Sequence, residues 1–262
     1  MSIKKILSGV AMAVAISSAS SAQAATLTNW FLNPTGAGIA AANTIQVQDF
    51  IDLTGAAYVH NSFTSATTFN FNEAGNFNEF SADTNTVISP ALTSTFTGSG
   101  TGTTGGNLTF TSGTLNIFSG ATNFATFELV SGAAVLQANS VLPNGTVSLI
   151  FRATVLNAGY FFDSNGNDLA LLVPSTPDIL FGFSTTNVIS QANGTRTVTA
   201  PLITLYNGAF NPDVVGPIVA NDTTDLLISN NGQFRLSVPE PTSIALLGMG
   251  LLGFGLSRKK HS

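Results

Sequence analysis

Val147-Ser148-Leu149-Ile150-Phe151-Arg152-Ala153-Thr154-Val155 places Val147, Leu149, Phe151, Ala153 and Val155 on one side of an extended chain. Ser148, Arg152 and Thr154 fall on the other side, and Ile150 is the exception. Successive side chains of a strand point to opposite faces, so this alternation specifies a strand with one buried and one wet face. The pattern recurs along the chain. Leu92 and Phe96 alternate with Thr93, Thr95 and Thr97; Phe69 and Phe71 alternate with Thr68 and Asn70; Phe234, Leu236 and Val238 alternate with Gln233, Arg235 and Ser237. No middle stretch reads as a helical period over three turns. Asn144-Gly145, Asn165-Gly166, Asn193-Gly194, Asn207-Gly208 and Asn231-Gly232 read as turns, because Asn and Gly tolerate positive φ. The predicted fold is all-β, an antiparallel β-sandwich or jelly roll. Twenty phenylalanines supply its core.

Composition narrows the partners. Hydrophobic residues make up 44% and charged residues only 8% of the 262, so Ser, Thr, Asn and Gly must supply the polar surface. Five of the eight basic residues sit at the ends, leaving Arg152, Arg196 and Arg235 against twelve acids in the middle, a net of −9. Such a surface lacks the basic footprint for nucleic acid or anionic lipid. It suits neutral glycans or divalent cations. No cysteine is present, which removes disulfides, thiol catalysis and thiolate metal sites.

The two ends read as targeting segments. Residues 1–24 have a basic start at Lys4 and Lys5, an apolar run from Ile6 to Ile16, and small residues at Ala22 and Ala24. Eleven residues of helix span about 16 Å, short of a bilayer core of about 30 Å. This is a predicted secretory signal peptide, cut by signal peptidase after Ala24. Residues 239–262 begin with Pro239-Glu240-Pro241, continue through the uncharged stretch Thr242 to Leu256, and end with Arg258, Lys259 and Lys260. The prolines fix φ and remove two backbone donors, so the entry to this segment is expected to be extended. The predicted helix behind them would insert transiently in the inner membrane, its basic end cytoplasmic. Residues 25–238 are then the secreted β-rich domain.

This C-terminal arrangement resembles the PEP-CTERM sorting signal. The resemblance implies recognition by a membrane peptidase, exosortase, in a Gram-negative bacterium that makes extracellular polysaccharide.

Within the middle, Gly98, Gly100, Gly102, Gly105 and Gly106 lie in a low-complexity run that reads as a flexible loop. Asp163-Ser164-Asn165-Gly166-Asn167-Asp168 offers oxygen ligands at alternate positions. It reads either as a hairpin tip or as a calcium site using Asp163, Asn165, Asn167 and Asp168. Asp168 and Pro174 stand where an EF-hand loop has Gly and Glu. No other cofactor is expected. His60 is the only histidine before the tail, and no nucleophile elbow accompanies it. The acids Asp49, Asp52, Glu73, Glu79, Asp83 and Glu128 could pair as in a glycosidase, but any chain with twelve acids offers pairs. Trp30, Tyr58, Tyr160 and Tyr206 are the candidates for sugar stacking. No catalytic residue is assigned, and the chain is not expected to be an enzyme.

The middle is also similar to flocculation-associated PEP-CTERM proteins, through Asn33-Pro34-Thr35-Gly36-Ala37-Gly38, Asp52 to Val59, Phe71-Asn72-Glu73-Ala74-Gly75, Leu92 to Phe96 and Gly159-Tyr160-Phe161-Phe162. That resemblance implies a structural or adhesive role in flocs, biofilm or exopolysaccharide association at the cell surface or in the extracellular matrix. A lectin-like glycan-binding module, with or without calcium, is the alternative; an extracellular hydrolase is the third.

Overall fold

The structure is a computed structural model. It describes residues 24–84, 86–136, 144–171, 180–190, 198–211, 214 and 224–239. Its strands are β1 (Ala24–Thr26), β2 (Trp30–Leu32), β3 (Ile45–Val47), β4 (Ile51–Phe63), β5 (Thr68–Ala82), β6 (Leu92–Thr103), β7 (Leu108–Ser119), β8 (Thr122–Leu136), β9 (Asn144–Leu156), β10 (Phe161–Phe162), β11 (Leu180–Ser190) and β12 (Asp225–Pro239). Among the described residues, one α-helix, α1 (Ala200–Phe210), lies between β11 and β12, and a 3-10 turn spans Leu169–Leu171. Thr26–Ser237 forms one compact unit; Met1–Ala25 and Val238–Ser262 group separately, and of those only Ala24, Ala25, Val238 and Pro239 are described.

The all-β antiparallel fold is the one the alternation predicts. Nine strands form one sheet in the order β1-β12-β11-β9-β8-β7-β6-β5-β4, and β12 also pairs with β4. Eight strands therefore close on themselves, each antiparallel to its neighbours. The connectivity is an up-and-down meander. A closed sheet opposes its own inner face across the core, as two sheets do in a sandwich, and leaves no free edge between β4 and β12.

The inner face is filled by complementary shapes. Along β5 and β6, Phe69 faces Gly102, Phe71 faces Gly100, Gly75 faces Phe96 and Phe77 faces Ser94. A Cβ on Gly100 would stand 2.4 Å from the Phe71 ring and 2.2 Å from the Thr109 carbonyl oxygen. Glycine at that position is what admits the ring. Phe71 and Phe110 meet edge to face at 4.9 Å, and Phe96 meets Phe151 the same way at 6.0 Å, geometries that aromatic quadrupoles favour. The glycine-rich run is thus strand as far as Thr103, and only residues 104–107 turn, with Gly105 at φ 70°. The expectation of a flexible loop over the whole run is corrected. Glycine and Thr or Ser alternate there with period two, and the missing side chains are supplied by phenylalanines from the next strand.

Turn composition misleads elsewhere too. Asn165-Gly166 makes the expected turn, with Gly166 at φ 83°. Asn144-Gly145 opens β9, Asn231-Gly232 lies inside β12 and Asn207-Gly208 lies in α1, while Asn193-Gly194 falls outside the described residues. Tertiary pairing overrides local preference at these positions. In β9, a register shift opposite Thr126 and Phe127 turns Val155 outward, 45% exposed, instead of inward with Phe151.

Helix α1 corrects the reading that the middle holds no helix. Thr199 caps it in extended conformation, Pro201 sits in its first turn, and Asn211 ends it at φ 52° with its N–H on the Asn207 carbonyl. Val198, Leu202, Tyr206 and Phe210 recur every fourth residue, which puts them on one face. That face buries Leu202 and Tyr206 on the outside of the ring, against Tyr58, Ala74 and Leu227. The three-stranded sheet β10-β2-β3 brings Trp30, fully buried, to 6.1 Å from both Phe161 and Phe234.

Candidate functional site

The outer face of the ring carries a broad polar array of Thr, Ser and Asn, with Glu128 among them on β8. Thr93, Thr95, Thr97, Ser99, Thr101 and Thr103 point outward along β6, opposite in sense to Phe96 and the glycines. Neighbouring strands extend the rows: Asn70, Thr101 and Thr109 lie side by side, as do Asn72, Ser99 and Ser112, and Asn76, Thr95, Asn116 and Thr126. Strand geometry spaces such groups about 4.8 Å across strands and about 6.8 Å along them. Several bind one another: Thr126 donates to Asn116 Oδ1 at 2.8 Å and Ser99 to Asn72 Oδ1 at 2.8 Å.

Beside this array, at the seam where β4 meets β12, His60 lies opposite Asp225. Its Nδ1 is 2.9 Å from Asp225 Oδ1, the same oxygen that accepts the Tyr58 hydroxyl. Asn61 N–H bonds the Thr224 carbonyl at 2.7 Å just beyond. Tyr58 packs edge to face on Tyr206 at 4.8 Å. Burial pushes the Tyr206 phenol above its ordinary range; a hydrogen bond from Asn72 opposes this and the Asp225 charge adds to it. A carboxylate-oriented imidazole is two thirds of a nucleophilic triad, but the nearby Ser99 hydroxyl donates to Asn72 and the Tyr58 hydroxyl to Asp225. The arrangement clamps the seam and the helix together.

The remaining sequence candidates are dispersed. Asp52 pairs across to Gln233, and Glu128 lies opposite Arg152 on the outer face. Asp83 accepts the Gln48 N–H at 3.0 Å. Glu73, between Val59 and Gly98, lies on the inner face, where burial raises its pKa to about 7. Trp30, Tyr58, Tyr160 and Tyr206 are all buried, so none forms a surface stacking platform.

The loop after β10 brings Asp163, Asn165 and Asn167 together. Asp163 Oδ1 accepts both the Asn165 N–H at 2.9 Å and the Asn167 N–H at 2.8 Å, and Oδ2 accepts the Asn167 amide at 2.8 Å. Burial works to raise the Asp163 pKa, but these hydrogen bonds outweigh it and hold it below the ordinary value. Asp168 turns elsewhere, accepting the Gly159 N–H at 2.7 Å and the Ala170 N–H at 2.9 Å. The loop organises its own backbone with the oxygens that a cation would use.

In sequence, β12 leads into the C-terminal segment. Ser237 is still paired with Leu180, and the strand ends at Pro239, whose ring removes the next ladder donor. Residues 237–259 match the PEP-CTERM protein-sorting motif. The PEP-CTERM segment therefore includes Pro239, Glu240, Pro241, Arg258 and Lys259; Lys260 lies one residue past the match. A PEP-CTERM motif marks an exported bacterial protein that exosortase processes and that is sorted to the cell surface or the extracellular space. No curated protein and no solved structure matches the chain. From Glu240 onward the PEP-CTERM segment lies outside the described residues, as does Ala22; Ala24 opens β1. Among the described residues no helix is long and apolar enough to cross a membrane. The apolar runs Ile6 to Ile16 and Thr242 to Leu256 lie outside them.

Sequence reasoning missed a groove of about 400 Å³ beside that strand end, on the outer face of β9, β11 and β12. Gly182 forms its floor between Ile150 and Arg235, with Ser148 and Gln233 along its sides. The available signal was the outward phase of Gln233, Arg235 and Ser237, together with the scarcity of cations in an acidic body.

Proposed function

We propose that the exported body is a structural or adhesive component of the extracellular matrix of a Gram-negative bacterium, associating with exopolysaccharide in flocs or biofilm, and is not an enzyme. The observation that carries this reading is the hydroxyl and amide array over β5 to β8, in which Glu128 is the charged exception, joined in one chain to a surface-sorting signal. Regularly spaced donors and acceptors on a stiff sheet can make many weak hydrogen bonds along a sugar chain, each contributing about 1 kcal/mol or less. The test is a host strain carrying Thr95→Val, Thr97→Val and Thr101→Val together. The protein should still be exported and cut, yet wash out of the matrix fraction, and flocs should loosen while polysaccharide output is unchanged. Retention in the matrix equal to wild type ends the reading. Soluble fragments released from polysaccharide by the purified protein would favour a hydrolase instead.

A further inference from the structure

We infer that the groove floored by Gly182 is a binding site for a carboxylated saccharide unit, with Arg235 taking the carboxylate. The inference rests on the polysaccharide reading and adds a discrete site to it. Arg235 is exposed on β12, and its guanidinium stands 5.3 Å from the centre of the Phe50 ring. Among the described residues it has no acidic partner. In a body whose middle carries a net charge of −9, an unpaired cation in a concave site favours an anion. The planar guanidinium offers two parallel N–H donors to one carboxylate, and the Phe50 ring limits the orientations it must give up on binding.

The rest of the lining selects the kind of anion. Ser148, Gln233 and Ser237 present hydroxyl and amide groups that match sugar hydroxyls. Ile150, 40% exposed, offers an apolar wall for the C–H face of a ring. Gly182 leaves the floor open: a Cβ there would meet nothing nearer than the Arg235 carbonyl oxygen at 4.0 Å. The volume of about 400 Å³ falls at the small-ligand end of binding clefts and admits one or two sugar rings. An acidic peptide would share the arginine contact. It would use the flanking hydroxyls and the apolar wall less well.

The experiment is calorimetric titration of the full chain, held in mild detergent, with a galacturonate hexamer. The comparators are the neutral hexamer made by reducing its carboxylates and a glutamate hexapeptide. Wild type should bind the galacturonate hexamer, and more weakly as salt is raised to about 0.15 M. Arg235→Gln should weaken this binding about tenfold or more, the loss expected for a charge-assisted hydrogen-bonded pair. Gly182→Val fills the floor without straining the strand and should weaken it as much. Binding that survives Arg235→Gln but is lost in the Thr95, Thr97 and Thr101 variant belongs to the polar array, which separates the two sites. No binding by wild type, equal binding of the neutral hexamer, or unchanged binding by both groove variants overturns the assignment. Equal binding of the peptide shows a general polyanion site and overturns the saccharide part.

Discussion

The β5–β6 ladder fills the inner face, the helix-covered patch lies on the outer face of β4, β5 and β12, and the two are filled by different means. Inside, each phenylalanine finds its space in the neighbouring strand: Phe71 over Gly100, Phe69 over Gly102. The fit is set by register alone. Outside, Tyr58 and Ala74 are covered by a helix more than a hundred residues away in sequence. Loss of the first should undo the whole sheet, and loss of the second should free one element.

The largest expected effect breaks the inner fit. Phe71→Ala leaves an unfilled space opposite Gly100 and should cost about 3–5 kcal/mol, read from urea midpoints, with all strands losing amide protection together. Next comes Glu73, the one acid on that inner face among those placed above. Its pKa is about 7 in the folded chain against 4.5 for the ordinary side chain. Folding thus favours the neutral acid, whose contribution is complete below about pH 4.5 and lost as pH rises through about 7. Wild-type stability should fall across that window by up to about 3 kcal/mol. Glu73→Gln should flatten the slope and be the more stable protein at pH 8; parallel curves for the two proteins would refute it.

The outer patch is tested by Leu202→Ala, expected to cost about 2–3 kcal/mol. Here hydrogen exchange should rise in α1 while β6 stays protected; uniform loss would erase the distinction between the two faces. The smallest effect refines the ladder itself. Gly100→Ala drives a Cβ against the Thr109 backbone oxygen and should cost about 2 kcal/mol, while Gly102→Ala meets only the Leu108 and Phe69 side chains, at 2.3 and 2.8 Å, and should cost less. Equal costs would mean that the backbone contact is not what excludes a side chain at position 100.

The sites differ in legibility for the same reason. Pro239, Glu240 and Pro241 are contiguous in the chain, so the sequence carries that signal whole. The pairing of His60 with Asp225 joins residues 165 apart, and Gly182 reaches Arg235 only through the ladder of β11 and β12. Neither the seam nor the groove has a local pattern. Asn33-Pro34-Thr35-Gly36-Ala37-Gly38 and Gly159-Tyr160, noticed separately as motifs, lie together: Asn33 N–H bonds the Tyr160 carbonyl at 2.8 Å and Gly38 N–H the Gly159 carbonyl at 3.3 Å. Their shared role is to fold one loop against another.

By itself the sequence determined the strand character of the body, through two-residue alternation, and the sorting segment, through contiguous chemistry. It also determined an acidic, cysteine-free surface. Tertiary structure alone decided that eight strands close into a ring, that the glycine run is a strand receiving phenylalanines, and that a helix covers the seam. The physical reason is that alternation states which side of a strand is buried but not which strand lies beside it, and closure, shape complementarity and the groove all belong to the neighbour.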